Sequence, residues 1–161
     1  APSPDGQWVI FQSVRSGNSA LWKVSIDGGT PTQLDDKPTQ GPAVSPDGKT
    51  IACFFLDQRG KTSLGLLPFD GGEFVKTFDL PDSVEISGGL KWSPDGRSLN
   101  FLNSRNDSNI VSFPIDGGPW KTLTSFKSDR IYHFAWTYDK KQIVYSRGPF
   151  IDDVLLIKDF R

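Results

Sequence analysis

The chain has 161 residues, enough for one domain of ordinary size. Its 16 glycines and 12 prolines suit many short strands joined by tight turns and suit long helices poorly. The formal net charge is -1, so nothing favours nucleic acid or an anionic membrane as a partner.

The longest purely aliphatic run, Val154–Ile157, is far too short to span a membrane, and no signal peptide is visible. The sequence contains one Cys and no Met. We therefore expect a mature form or a piece of a longer protein, and the single Cys leaves the redox compartment open.

Two turn motifs recur along the chain at a fixed offset. Ser-Pro-Asp-Gly begins at Ser3, Ser45 and Ser93, and a degenerate copy, "TYDK", begins at Thr137. Asp-Gly-Gly follows 24, 25 and 23 residues after the first three, at Asp27, Asp70 and Asp116. A period of about 40–50 residues indicates propeller blades or helical arrays.

The segments between the turns have the alternation of strands. Apolar residues stand three and five residues after the first motif in every repeat: Val9, Ile51, Leu99 and Ile143, then Phe11, Cys53, Phe101 and Tyr145. Each repeat reads as four antiparallel strands, here A to D. Strand A leads into Ser-Pro-Asp-Gly and B leaves it, whereas C leads into Asp-Gly-Gly and D leaves it. The predicted fold is an all-β propeller.

The predicted blades cover residues 1–38, 39–83, 84–127 and 128–161, as one propeller segment. Only Ala1 and Pro2 precede the first motif, so we expect blade one to lack strand A, and the last blade to stop near the end of strand C. About three and a half blades result. Open blade edges pair readily with other chains, so we predict a homo-oligomer. Two copies would form a ring of about eight blades, and a compact four-bladed ring is the alternative.

The order Ser-Pro-Asp-Gly, apolar strand, Ser-x-Arg, strand, Asp-Gly-Gly and Leu resembles the WD40-like (PD40) repeat of TolB-type propellers. Related blades occur in prolyl-oligopeptidase-type enzymes, in tricorn-like proteases and in bacterial receptor-like kinases and winged-helix regulators. The closing "SRGPFIDDVLLIKDFR" resembles the C-terminal end of the kinase- or regulator-linked propellers. The resemblance implies the fold but says little about the function, because one fold hosts many functions.

The aspartates of both motifs have a structural interpretation. In Pro-Asp-Gly, Pro fixes φ, Asp accepts from backbone N–H groups two residues on, and Gly takes positive φ. We therefore interpret Asp5, Asp47, Asp95, Asp27, Asp70 and Asp116 as turn residues rather than as a repeated metal site. No metal and no cofactor are predicted.

An arginine follows strand B in every repeat: Arg15, Arg59, Arg105 and Arg147, in "SVRSG", "DQRGK", "NSRND" and "YSRGP". One interpretation is that each Arg braces its own or the neighbouring blade. The other is a ring of guanidinium groups that holds an acidic partner segment. The B–C loops and D–A connections of a propeller share one face, so we expect a protein partner or small ligand there.

His133, the only histidine, stands on a predicted innermost strand and is expected to point toward the central channel. A packed or solvated His is favoured over a ligand, and one His cannot build a His-rich metal site. Cys53 fills a slot that holds aromatic rings in other blades and is predicted to be core. No Gly-x-Ser-x-Gly elbow is present, and no catalytic residue is predicted.

Two functional hypotheses follow. The first is a non-catalytic scaffold or sensor domain of a larger bacterial protein, which the TolB resemblance implies to be periplasmic or extracytoplasmic. The second is the gating propeller of a prolyl-oligopeptidase-like or tricorn-like hydrolase. A third, purely structural possibility is a building block of an assembly. An α/β-hydrolase segment in the full-length gene would favour the second, whereas a kinase or winged-helix segment would favour the first.

Overall fold

The computed structural model describes residues 1–105 and 108–149, and these residues form strands and turns without a helix. The thirteen described strands are β1 Trp8–Ser13, β2 Ala20–Ser25, β3 Gly28–Gln33, β4 Thr39–Val44, β5 Thr50–Leu56, β6 Thr62–Pro68, β7 Lys76–Asp79, β8 Lys91–Trp92, β9 Ser98–Asn103, β10 Asn109–Pro114, β11 Lys121–Thr122, β12 Arg130–Trp136 and β13 Ile143–Gly148.

The strands form four sheets in chain order. Blade one is β1-β2-β3, blade two is β4-β5-β6-β7, blade three is β8-β9-β10-β11, and blade four contributes β12-β13. Every pair of neighbouring strands is antiparallel. Strand A is therefore β4, β8 or β12, and strand B is β1, β5, β9 or β13. This is the predicted all-β architecture of a partial propeller. The predicted strand C of blade four lies outside the described residues.

Blade one starts with a stub of strand A. Pro2 forms an isolated antiparallel bridge with Val9, and the Ile10 N–H donates to the Ala1 carbonyl at 2.7 Å. The N-terminal ammonium donates to the Ile10 carbonyl at 2.6 Å. Ala1 and Pro2 thus stand beside β1 in the place that strand A takes in the other blades.

Some of the strands A, C and D are shorter than the sequence predicts. The segment "PWKTL" contributes only Lys121–Thr122 to strand D, and strand A of blade three is only Lys91–Trp92. The predicted strand C of blade one extends to Ile26, whereas β2 ends at Ser25 and the Ile26 side chain is exposed. These segments lie at sheet edges and turns, where burial does not enforce the two-residue alternation.

The hydrophobic core lies between successive blades. Ile10, Leu21, Ile51, Cys53 and Leu67 pack between blades one and two. A larger cluster joins blades two and three, and its Phe54 and Phe101 rings meet edge to face with centroids 5.7 Å apart. A third cluster, Leu102, Ile110, Ile131 and Phe134, joins blades three and four. Each inner blade therefore buries both faces of its sheet.

Cys53 lies in this core, as predicted. Its side chain is fully buried, and burial raises the pKa of the thiol. It occupies the position that Phe101 fills in blade three, five residues after the turn glycine. A small residue suffices here because the neighbouring ring of Phe74 covers Gly65, the cross-strand partner of Cys53.

The Asp-Gly-Gly turn of blade two fixes the joint between blades one and two. The Gly72 N–H donates to the Leu34 carbonyl at 2.8 Å. Gly71 has φ +88, and a Cβ at this residue would stand 2.6 Å from the Leu34 carbonyl oxygen. Gly28 occupies the same motif position in blade one with φ +93, but nothing lies within 4 Å of its Cβ position.

This pair provides a matched test of the blade joint. We expect Gly28→Ala to lower the free energy of unfolding by about 1 kcal/mol, the cost of a non-glycine residue in the left-handed region. Gly71→Ala should cost a further 1–3 kcal/mol, roughly, because backbone atoms of Leu34 must move. Urea unfolding measured by circular dichroism distinguishes the two. Equal losses for both variants would contradict the proposed close approach.

Candidate binding face

The B–C loops and the D–A connections contact one another on one face of the blades, here called the loop face. Lys61 of the blade-two B–C loop forms an ion pair with Asp82 at 2.7 Å. The Ser104 N–H donates to the Glu85 carbonyl at 2.7 Å in blade three. The A–B and C–D turns meet on the opposite face, where the Ile115 N–H donates to the Arg97 carbonyl at 3.0 Å. Arg15, Arg59 and Arg105 follow strand B and therefore belong to the loop face. The prediction that Arg147 also follows strand B is wrong, because strand B of blade four extends to Gly148 and includes it.

Arg59 lies between two carboxylates of its own blade. Its guanidinium group is 2.8 Å from Asp57 Oδ2 and 3.4 Å from Asp79 Oδ1, while 68% of the side chain stays exposed. The pKa of Asp57 is lowered, first by the hydrogen bond from the Lys61 N–H and then by Arg59. The guanidinium group thus ties the B–C loop to strand D and still reaches solvent.

The other arginines also contact neighbouring groups. Arg15 lies over the rings of Phe11 and Trp22, 5.2 and 5.0 Å from their centroids. Arg147 donates to the Ser128 carbonyl at 2.7 Å and lies 4.2 Å from the centroid of the Phe126 ring. These contacts are those of the bracing interpretation. Binding of a partner by the same arginines stays a prediction.

Arg105 directly precedes residues 106–107, which lie outside the described part of the chain. Its backbone N–H donates to Asn103 Oδ1 at 3.1 Å, and its side chain is exposed. Asp82, of the neighbouring D–A connection, has a lowered pKa, chiefly because of its hydrogen bond with Lys61 and to a lesser degree because of Arg105. Arg105 therefore adds positive charge to the loop face beside blade two.

A cleft of about 1020 Å³ opens beside Arg59, on the side of blade two that faces blade one. Its floor contains the rings of Phe55 and Phe74, whose centroids are 4.6 Å apart. Ser63 of β6 lies in the wall, fully buried. The rim carries two charged clusters, Lys37–Glu73 and Asp57–Arg59–Asp79. The cleft combines an apolar floor with charged groups, a composition typical of ligand sites.

Of these residues, the sequence pointed to Arg59 and to the D–A connections, one of which contains Lys37, and it missed Ser63 and Phe74. A hydroxyl residue at an inward-facing position of strand C was the available signal for Ser63. Phe74 could not be placed, because it lies on the C–D connection and reaches the sheet by folding over Gly65. Only the three-dimensional packing brings these residues together with Arg59.

His133 lies outside the cleft. It stands on β12 opposite Ser146 of β13, next to an irregularity in the ladder at Tyr132, and its side chain is exposed. In the aligned position of blade two, Gly41 has φ +64, and a Cβ there would stand 3.3 Å from the Phe54 ring. Blade four therefore accommodates a side chain at a position where blade two has little space.

The aspartates of the Ser-Pro-Asp-Gly turns bond within the turn. The Ser45 hydroxyl donates to Asp47 at 2.6 Å, and the same carboxylate accepts from the Lys49 N–H at 3.1 Å. The Ser45 oxygen accepts from the Thr50 N–H at 3.0 Å. The same three bonds recur in the other copies, centred on Asp5, Asp95 and Asp139. The pKa of each carboxyl group is lowered, first by the hydroxyl bond.

The aspartates of the Asp-Gly-Gly turns have different contacts. Asp116 accepts from the Gly118 N–H at 3.0 Å, within its own turn. Asp70 instead binds Lys23 of blade one at 2.6 Å. The Asp27 N–H donates to Ser25 Oγ at 3.2 Å. The motif therefore supports both turns and blade contacts.

Across residues 1–105 and 108–149, no three His, Cys, Asp or Glu side chains gather closely enough to hold a metal ion. The same residues include no helix of the length and apolarity that crossing a membrane requires.

No family model matches the chain. It is 30% identical over 109 residues to a protein of Agrobacterium fabrum, 33% identical over 147 residues to the peptidase YuxL of Bacillus subtilis, and 29% identical over 130 residues to Tricorn protease homolog 1 of Streptomyces coelicolor. These matches cover 62%, 89% and 76% of this chain. The chain spans only 37%, 20% and 11% of those relatives.

Solved structures with the same architecture include a TolB-type protein of Agrobacterium tumefaciens, with a TM-score of 0.78 and 22% identity, and TolB of Acinetobacter baumannii, with a TM-score of 0.73 and 21% identity. Both matches cover 92% of this chain, which spans 53% and 37% of those proteins. The chain therefore has the TolB-like β-propeller fold that its repeats predict.

The turn carboxylates make stability depend on pH in a defined direction. Hydrogen bonds hold the pKa of Asp47 below its usual value of 3.8, so its stabilising contribution is present above that pH and is lost as the pH falls through the folded-state pKa. We expect Asp47→Asn to lower the free energy of unfolding at pH 7 by under about 1 kcal/mol, since the turn is exposed. The gap in the free energy of unfolding between Asp47→Asn and wild type should narrow toward pH 2.

Urea unfolding between pH 7 and pH 2 measures this gap. Asp36→Asn is the control, because Asp36 is exposed and makes no hydrogen bond within the part of the chain that the structure describes. A gap for Asp47→Asn that stays constant over this pH range would show that the carboxylate charge does not hold the turn.

Proposed function

We propose that this chain is a non-catalytic β-propeller domain that acts as a scaffold or sensor and binds a protein partner or small ligand on its loop face. The observation that carries the proposal is the cleft beside Arg59, where an apolar floor and charged rim groups converge on that face. Loops held by a rigid sheet scaffold commonly carry binding function. Four blades connected through a continuous core provide that scaffold.

The proposal includes a larger bacterial parent protein and a periplasmic or extracytoplasmic location. The support is indirect: the relatives reported above are bacterial and longer than this chain, and the structural neighbours include TolB proteins.

The proposal also includes self-association through blade one. The side of its sheet that faces away from blade two carries Val9, Phe11, Trp22 and Val24, which stay partly exposed. The aligned residues of blade two, Ile51 and Cys53, are fully buried against blade one. Trp22 Nε1 is buried without a hydrogen-bond partner within the described residues. A second copy of the chain would cover this face as one blade covers the next.

A gating propeller of a hydrolase is the second candidate. The similarity to YuxL, which extends over 89% of this chain, favours it. The match covers only 20% of YuxL, so most of that protein lies outside the region similar to this chain. A hydrolase segment in the same gene would support this candidate over a scaffold role.

Partner binding can be tested with a double variant on the loop face. Immobilised wild type should retain proteins from a periplasmic extract of Agrobacterium fabrum, and Arg59→Ala with Arg105→Ala should reduce their retention at least about tenfold, since each guanidinium group can form charge-assisted bonds. Quantitative mass spectrometry provides the measurement. Arg97→Ala, an exposed arginine on the opposite face, is the control. Unchanged retention by a correctly folded double variant would rule out the loop face.

Self-association can be tested by light scattering. We expect wild type to show twice the monomer mass, and Phe11→Asp to show the monomer mass because a charge would be buried between blades. Val75→Asp, at an exposed position of blade two, should keep the dimer. A monodisperse wild-type monomer over the micromolar range would contradict self-association.

A further inference from the structure

The Ser63 hydroxyl is a buried polar group without a partner. The residue is 1% exposed, and its oxygen has no hydrogen-bond partner within the described residues. It stands on β6 between Phe55 of β5 and Asp79 of β7, and it lines the cleft beside Arg59. Because an unpaired buried hydroxyl is unfavourable, the position is explained best by a group that enters the cleft and bonds to it.

The equivalent position of blade three is satisfied by its own chain. Asn109 stands opposite Asn103 as Ser63 stands opposite Phe55. Asn109 Oδ1 accepts from the Thr124 hydroxyl at 2.9 Å and from the Phe126 N–H at 2.8 Å. The shared architecture therefore has a way to satisfy a polar residue here. Blade two has no such partner for Ser63, which lines the cleft instead.

The charged groups of the cleft carry more negative than positive charge. Lys37 pairs with Glu73 at 2.6 Å, and Arg59 pairs with Asp57 and Asp79. Two cations thus face three carboxylates, which leaves one negative charge. The carboxylates of Asp79 and Glu73 are 73% and 84% exposed, so oxygens on both remain accessible. A complementary ligand supplies N–H donors and a positive charge.

The floor of the cleft suits the same kind of ligand. The Lys37 ammonium group lies 4.8 Å from the centroid of the Phe74 ring, so this site already holds one ammonium group against an aromatic face. The adjacent Phe55 ring borders the cleft beside Ser63. Ring faces attract cations and also pack against the methylene groups that carry them.

We infer that this cleft binds an organic ammonium group, a primary amine on an apolar chain, with Ser63 and Asp79 as its hydrogen-bond acceptors and Phe55 as its apolar contact. The amine is either a free small molecule or a lysine side chain of a partner protein. The inference rests on the proposed function, because it names the chemistry that the loop face recognises at this position.

The test titrates amide-labelled protein and follows ¹H–¹⁵N chemical shifts. The probes are n-butylammonium, with n-butanol as its neutral counterpart, and N-acetyl-lysine methylamide, with the norleucine compound as its counterpart. We expect saturable shifts at Ser63, Thr77 and Asp79 with the charged probes and at least fivefold weaker binding of the neutral ones. Binding of n-butylammonium alone indicates a free amine, and binding of the lysine compound alone indicates a partner's side chain; either supports the inference.

Two variants and a control locate the site. Asp79→Asn should weaken binding about tenfold through loss of the carboxylate charge that pairs with the ammonium group, and Ser63→Ala about threefold through loss of a bond to an uncharged acceptor. Ser63→Ala should leave the urea midpoint unchanged or raised, because it removes an unpaired hydroxyl. Asp82→Asn, which removes an even more exposed carboxylate outside this cleft, should bind as wild type does.

Equal affinity for n-butylammonium and n-butanol would overturn the inference, and so would equal weakening by Asp79→Asn and Asp82→Asn, or no binding of either charged probe. If no charged probe binds while partner retention still depends on Arg59 and Arg105, this inference fails and the proposed function stands. If the amine binds while partner retention is independent of those arginines, the proposed function fails and the cleft remains an ammonium site.

Discussion

Burial of apolar side chains between successive blades is the interaction on which the rest of this structure depends. A four-stranded sheet with two apolar faces is not stable alone, because both faces would stay in water. Blades two and three solve this by packing Phe54 against Phe101 within a large shared cluster. Trp92 adds a fixed point, since its indole N–H donates to the Ala43 carbonyl of the neighbouring blade at 2.9 Å. The loops gain their defined positions from this packing.

The cleft beside Arg59 results from the way in which blade two fills the space between itself and blade one. Near the turns the space between blades one and two is filled by Ile51 and Leu67. Farther along, β6 has Gly65 and Ser63, and the ring of Phe74 enters from the C–D connection. Small residues on a strand thus leave room at the loop face, and the charged groups of two connections close around that room. Packing and recognition are determined by the same few positions.

The sequence was informative where burial or turn chemistry constrains it. The alternation at Ile51 and Leu99 predicted strand B of blades two and three because these residues are buried between sheets. The outer strand is less regular: Lys76–Asp79 and Lys121–Thr122 are mostly exposed and have no such constraint. Arg15, Arg59 and Arg105 lie in loops after strand B as predicted, whereas Arg147 lies within β13, where it pairs with Ile131. The partners of these arginines depend on how loops from different blades meet. The sequence could not show that the Ser63 hydroxyl lacks a hydrogen-bond partner, because this depends on which groups its neighbours Phe55 and Asp79 place near it.

The hydrogen bonds of the Ser-Pro-Asp-Gly turn all form within six residues, and this locality has an evolutionary consequence. A hairpin that holds itself in shape can be duplicated as a gene segment without a compensating change elsewhere. It can also drift: the fourth copy keeps every bond with Thr137 in place of Ser, and Lys140 adopts a positive φ of 60°, close to the 70° to 73° of the glycines in the other copies. Such tolerance lets the number of blades change over generations while each blade keeps its form.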